Sequence, residues 1–216
     1  FNNSVISTKW LSLLHIASKC NSLECFKFLH EDKHIPLNYF SGDHFIPLQY
    51  ACFYGSTDVA LYILNKDPNQ CKFHDEDVNT SFSLFYCAVF GDKIEIIQEL
   101  FNKGAKFTDS WVDQYSVLSI AIALSKNNIL ELLYNNRSPD FSIPPEKPTL
   151  AMNAIFHFNP EAFEIVYNKE TDLTYHYNDQ SGYHSLIHDI LLYDYGHHYK
   201  DFLLKVLPDA KDITFE

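Results

Sequence analysis

Six times along the 216 residues, a short, almost wholly apolar block is followed by a polar break and then by a second block with helical spacing. The first blocks open SLLHIAS at Ser12, IPLQYAC at Ile46, FSLFYCA at Phe82, SVLSIAI at Ser116, PTLAMNA at Pro148 and YHSLIHD at Tyr183. The first five breaks are Asn21-Ser22, Gly55-Ser56, Gly91-Asp92, Ser125-Lys126 and Asn159-Pro160. After each break apolar residues recur three and four apart, as in Val59, Tyr62 and Ile63, the spacing of one helix face. The leucines Leu14, Leu48, Leu84, Leu118, Leu150 and Leu186 serve as markers and lie 34, 36, 34, 32 and 36 residues apart. A near-constant period of this size marks a repeat array. Each unit reads as two short antiparallel helices and a long polar connection. Neither helix buries enough surface to stand alone, so stacked neighbours must supply the core.

The break at Gly55 shows why two helices are read rather than one. Glycine inside a helix costs about 1 kcal/mol relative to alanine, so a recurring break is a turn and not a flaw. The predicted helices are 47–54 with 57–65 in the second unit and 83–90 with 94–102 in the third. The third unit reads as carrying one extra residue near Lys93. Predicted core positions are Leu14, Ala17, Phe28, Leu48, Ala51, Ile63, Leu84, Ile97, Leu118, Ala121, Leu132 and Leu186.

Pro47, Leu48 and Ala51, with Ser12, Leu14, His15 and Ala17, resemble the opening pattern of the ankyrin repeat, T-P-L-H-x-A. EIIQELFNKGAKF, with Gly104 and Ala105, resembles that family's second helix and its exit. The phenylalanine-, tyrosine-, asparagine- and lysine-rich sequence looks like the divergent ankyrin arrays of protist proteins. The tetratricopeptide repeat shares the period, but its connections are short, whereas NKDPNQCKFHDEDVNTS is long and polar. The resemblance implies an all-α fold: an ankyrin-type solenoid of about six helix-turn-helix units with long hairpin loops. The units run over 8–41, 42–77, 78–112, 113–144, 145–180 and 181–216, as one domain. The chain starts with Phe1 and reads as a fragment of a longer protein. Asp189 falls near the alanine position of the last unit.

By the same resemblance, the two residues before each turn face the concave side. These are Lys19 and Cys20, Phe53 and Tyr54, Val89 and Phe90, Ala123 and Leu124. Aromatic side chains there suit the anchors of a protein interface. Hairpin tips are expected at 40–44, 74–79, 110–114, 142–146 and 178–181. They bring Trp111 and Tyr115 as further anchors, and Asp75 and Glu76 as an acidic tip that would attract a basic segment. His15 matches the family's structural histidine, which bonds to hairpin backbone.

Charge narrows the partner. Sixteen Lys and Arg against 28 Asp and Glu leave a formal net charge of -12. That disfavours nucleic acid and anionic membrane surfaces. No run reaches the roughly 18 apolar residues of a membrane span. Five cysteines without a C-x-x-C pair read as reduced thiols, and so as a cytoplasmic protein. No phosphate-binding or hydrolase motif is present, so no enzyme and no cofactor is expected. Two alternatives stand beside the protein-interaction scaffold. One is a metal- or thiol-dependent enzyme using the His-rich C-terminal unit. Its residues are His184 and His188, which share one helix face, with Asp189, Asp194, His197 and His198 nearby in sequence. The other is self-association through the exposed C-terminal helix with Leu203, Leu204 and Val206.

Overall fold

Hydroxyl side chains start the first helix of most repeats. Ser83 Oγ accepts from the Tyr86 N–H at 3.1 Å, Ser116 Oγ from Ser119 at 3.1 Å, and Thr149 Oγ1 from Met152 at 3.1 Å. Ser185 Oγ does the same for the His188 N–H at 3.2 Å. Each bond satisfies a donor that the first helical turn leaves without a partner. At the other end a residue in the left-handed region turns the chain. The turn residues are Asn21, Gly55, Asp92, Ser125 and Phe158, with φ from 50° to 65°.

These starts and stops recur in a computed structural model that describes residues 11–72, 83–107, 111–112, 115–137, 147–167, 171–179, 182–192 and 200–208. The described helices form six pairs: α1 (Leu13–Lys19) with α2 (Leu23–Lys27), α3 (Pro47–Phe53) with α4 (Thr57–Lys66), α5 (Leu84–Gly91) with α6 (Ile94–Asn102), α7 (Val117–Ala123) with α8 (Asn127–Asn135), α9 (Leu150–Phe156) with α10 (Pro160–Val166), and α11 (Leu186–Leu192) with α12 (Lys200–Val206). A π-helical turn, Phe28–Asp32, continues α2. Two short antiparallel hairpins precede α7 and α11. They are β1 (Trp111–Val112) with β2 (Tyr115–Ser116), and β3 (His176–Asp179) with β4 (Gly182–Ser185). The segments that these strand pairs enclose, 113–114 and 180–181, and a turn at residues 41–44 fall within the tips expected from sequence.

The chain divides into two compact units, residues 1–107 and 108–216, each holding three helix pairs. In the first unit, α3 packs between α1 and α5, and α4 between α2 and α6. In the second, α9 packs between α7 and α11, and α10 packs on α8. Polar side chains also tie neighbouring repeats together. Asn21 accepts from the Val59 N–H and donates to Asp58, and Asn159 donates to the Ile122 carbonyl and to Asn127. Lys205 pairs with Glu164.

The caps correct the phase read from the leucines. Starts at Ser12, Ile46, Ser83, Ser116, Thr149 and Ser185 are 34, 37, 33, 33 and 36 residues apart. Leu84, Leu150 and Leu186 therefore stand one residue before the position of Leu14, Leu48 and Leu118, which Phe85, Ala151 and Ile187 hold. Every left-handed turn residue comes nine positions after its cap, so the third repeat has no extra residue near Lys93. Its longer spacing comes from the connection before Ser83. The alanine position of the last repeat falls on Ile190, not Asp189.

Of the predicted core residues, ten are buried and two are not. Phe28 is 50% exposed and Leu132 half-buried, while Phe26 and Leu133 are fully buried. Phe28 and Leu132 share one repeat position with Tyr62 and Glu99, on the flank of the second helix. The buried position lies two residues earlier, at Phe26, Ala60, Ile97, Leu130 and Phe163.

Candidate functional site

The residues just before each turn cannot point into the core, because the position ahead of them already does. Ser18, Cys52, Val89, Ile122 and Ile155 fill that inward position and are buried. Val89 is thus a core residue, and not the exposed face residue expected from sequence. The turn residue is Asp92, so the outward pair of the third repeat is Phe90 and Gly91.

What remains outside in the first unit is an aromatic ladder. The rings of Phe53 and Phe90 stack at 5.2 Å and 20°. Tyr54 stands edge-on to Phe53 at 5.2 Å, and Tyr86 lies 5.2 Å from Phe90. Lys19 from the first repeat sets its ammonium 4.9 Å over the Tyr54 ring, a cation–π contact worth about 0.5–1 kcal/mol at an exposed site. Tyr54 is 39% exposed, and Phe53 and Phe90 are half-buried. Four aromatic rings and one cation from three repeats therefore line one strip.

A pair of glycines makes the strip possible. Gly55 adopts φ 65°, a left-handed conformation that costs other residues energy. A Cβ on Gly91 would lie 1.9 Å from the Cys52 carbonyl oxygen, so α3 and α5 approach as closely as backbone allows.

In the second unit the corresponding positions hold Ala123, Leu124, Phe156 and His157. Leu124 is half-buried and Phe156 is 60% exposed. Sequence reasoning missed Phe156 because the break was read at Asn159-Pro160, whereas Phe158 makes the turn at φ 50°. Counting nine residues from Thr149 would have found it. Tyr115 is 37% exposed on β2, and Trp111 lies on β1 opposite Ser116. Asp75 and Glu76 lie outside the described residues, as do Asp194, His197 and His198.

His15 is fully buried. Its Nε2 is 2.9 Å from the Phe45 carbonyl, which can only accept, so Nε2 carries the proton. Nδ1 then accepts from the Ser12 N–H at 3.2 Å. Burial holds its pKa below the usual histidine value, and the ring is neutral. This is the structural role the sequence implied. Burial also pushes the Cys52 thiol up to about 12, far from a usable thiolate.

The C-terminal histidines do not share a helix face. His184 lies on β4, before the cap, and only His188 lies on α11. The hairpin nevertheless brings them together. His184 Nδ1 is 2.8 Å from Asp189 Oδ1, both residues are buried, and the His188 ring is 6.2 Å from that of His184.

Between α1 and α2 lies an apolar groove of about 550 Å³, bordered by Leu13, Ile16, Cys20, Cys25 and Phe28. Leu13 and Ile16 stand at the positions of Pro47 and Tyr50, which α1 buries in the next repeat. On the last helix pair of the second unit, Leu191, Leu192, Leu204 and Leu207 are 46% to 60% exposed.

Residues 2–77 match the family model described as ankyrin repeats (3 copies). Among solved structures, the chain is similar to the crystal structure of the human ASB11 ankyrin repeat domain. The TM-score is 0.62 at 17% identity, over 90% of this chain and 98% of that one. No curated protein matches in sequence.

Proposed function

We propose that this chain, whose residues 2–77 match the ankyrin repeat model and which carries that fold, is a protein-interaction scaffold whose first unit holds a partner segment on the strip of Lys19, Tyr54, Phe53, Phe90 and Tyr86. Ankyrin repeats in general serve as protein-interaction modules, and the stacked, part-exposed ladder is the observation that carries the specific reading. Rigid aromatic rings bury large areas at low entropic cost, which makes them interface anchors. The net charge of -12 favours a partner with basic residues, and the acidic Asp75 and Glu76 would add to that attraction. In the second unit Leu124, Tyr115 and Trp111, joined by Phe156, form a separate contact zone under the same reading. Such a scaffold fits the cytoplasm, where reduced thiols persist. Among the described residues no helix is long and apolar enough to cross a membrane.

The test is selection of binding peptides from a random display library on the folded chain, followed by affinity measurement on variants. Phe53→Ala/Tyr54→Ala/Phe90→Ala should weaken the selected peptides by tenfold or more, about 1.4 kcal/mol or beyond. Its thermal transition should stay cooperative. Peptides rich in Lys or Arg that bind this triple variant as well as wild type would remove the ladder from the interface.

A second reading rests on the exposed leucines at the C-terminal end and on the apolar groove at the N-terminal end. Two such faces suit self-association. Light scattering across a concentration series checks it: a constant monomer mass refutes it.

A further inference from the structure

The last repeat buries a carboxylate at a position where no earlier repeat carries a charge. The fourth residue of the first helix is Ile16, Tyr50, Cys87, Ile120 and Asn153 in the earlier repeats, but Asp189 here. Asp189 is 3% exposed. A carboxylate so buried needs a charge partner, because transfer out of water is costly without one. The groups supplied are imidazoles. His184 comes from β4 with Nδ1 at 2.8 Å, and His188 from the preceding helical position. One ligating atom from each of the three side chains lies within 4.8 Å of the other two.

We propose that His184, His188 and Asp189 bind a divalent transition-metal ion of the zinc type. Two nitrogens, one carboxylate oxygen and no thiolate suit Zn²⁺, Co²⁺ or Ni²⁺, and not Ca²⁺ or Mg²⁺, which take oxygen sets. Zinc ligands stand about 2.0–2.2 Å from the metal, so tetrahedral partners are roughly 3.4 Å apart. The His184–Asp189 pair, at 2.8 Å, must open by roughly half an ångström, and separations up to 4.8 Å must close by as much as about 1.4 Å. His184 is the fixed member: it sits in the β3–β4 ladder opposite Tyr177, whose ring stacks on it at 4.9 Å and 18°. His188 is the adjustable member, because it is exposed on the first turn of α11. Its exposure also gives the ion a route in, and leaves room for water as the fourth ligand. His15 holds the same helix position in the first repeat, but its nitrogens are committed to Ser12 and Phe45 in the core. The hairpin ahead of α11 is what makes the difference: it carries a second histidine to the helix start.

Zinc titration by calorimetry on the full chain, with millimolar Mg²⁺ present, tests this. Wild type should bind a single ion with micromolar affinity. His188→Ala should weaken it by at least about tenfold with unchanged circular dichroism, since that side chain is exposed. Cys20→Ser/Cys25→Ser, which removes the exposed thiols, should bind as wild type does. Substituting Co²⁺ should give visible bands without a thiolate charge-transfer feature. Equal binding by His188→Ala, loss in the cysteine variant, or no saturable uptake below about 100 μM would each overturn the site.

Discussion

The third residue of the first helix shows how one position takes different chemistry without changing the turn. His15 Nδ1 accepts from the Ser12 N–H, and Gln49 Oε1 accepts from the Ile46 N–H at 2.9 Å. Either acceptor satisfies a donor at the helix start. They differ in response to acid. Burial depresses the His15 pKa from the ordinary 6.5, so the folded state binds its proton less readily than the unfolded chain. The stabilisation from neutral His15 is full above pH 6.5 and is lost as pH falls through the lower, folded value. Protonated Nδ1 could no longer accept from Ser12. His15→Gln should therefore flatten the fall in urea midpoint between pH 7.5 and 5. His157, also depressed by burial, should leave a smaller slope of the same sign. An unchanged slope in the variant would place the acid sensitivity elsewhere.

At the scale of helices, amphipathic elements were legible and wholly buried ones were legible only to within a residue. The second helices α4 and α6 run Thr57–Lys66 and Ile94–Asn102, against expected 57–65 and 94–102. Their polar faces fix the phase. In α5 five of the first six residues are buried, so the apolar pattern carries no phase and does not tell Leu84 from Phe85. The cap hydroxyl and the left-handed turn hold the missing information. Phe53 and Tyr54 are readable because Gly55 makes their turn, whereas Gly91 stands one residue ahead of the turn at Asp92, which is why Val89 is expected outside beside Phe90. Phe156 is not readable, because a phenylalanine makes its turn. The close approach of α3 and α5 yields a prediction of its own. Gly91→Ala gains about 1 kcal/mol of helix propensity. It also forces a methyl to within 1.9 Å of a backbone oxygen that cannot rotate away. Overpacking of this kind costs typically 1–3 kcal/mol and more against rigid backbone. The steric term wins, and the chemical-denaturation midpoint should fall.

Across the whole molecule, six helix-turn-helix units and a hairpin tip at 178–181 are expected from sequence, but the pairing of His184 with Asp189 is not, since His184 reads as part of the helix it in fact precedes. One asymmetry has a practical result. All five thiols, Cys20, Cys25, Cys52, Cys71 and Cys87, belong to residues 1–107, and the last three are buried. A maleimide pulse should tag Cys20 and Cys25 at once in the native protein. It should reach the other three only when the N-terminal half opens, as read by mass spectrometry of the peptides. Rapid tagging of all five under native conditions would contradict the packing described. The chain thus carries a built-in chemical clock for one half of itself, deaf to the unravelling of the other, against which the melting of the two halves can be told apart without any added label site.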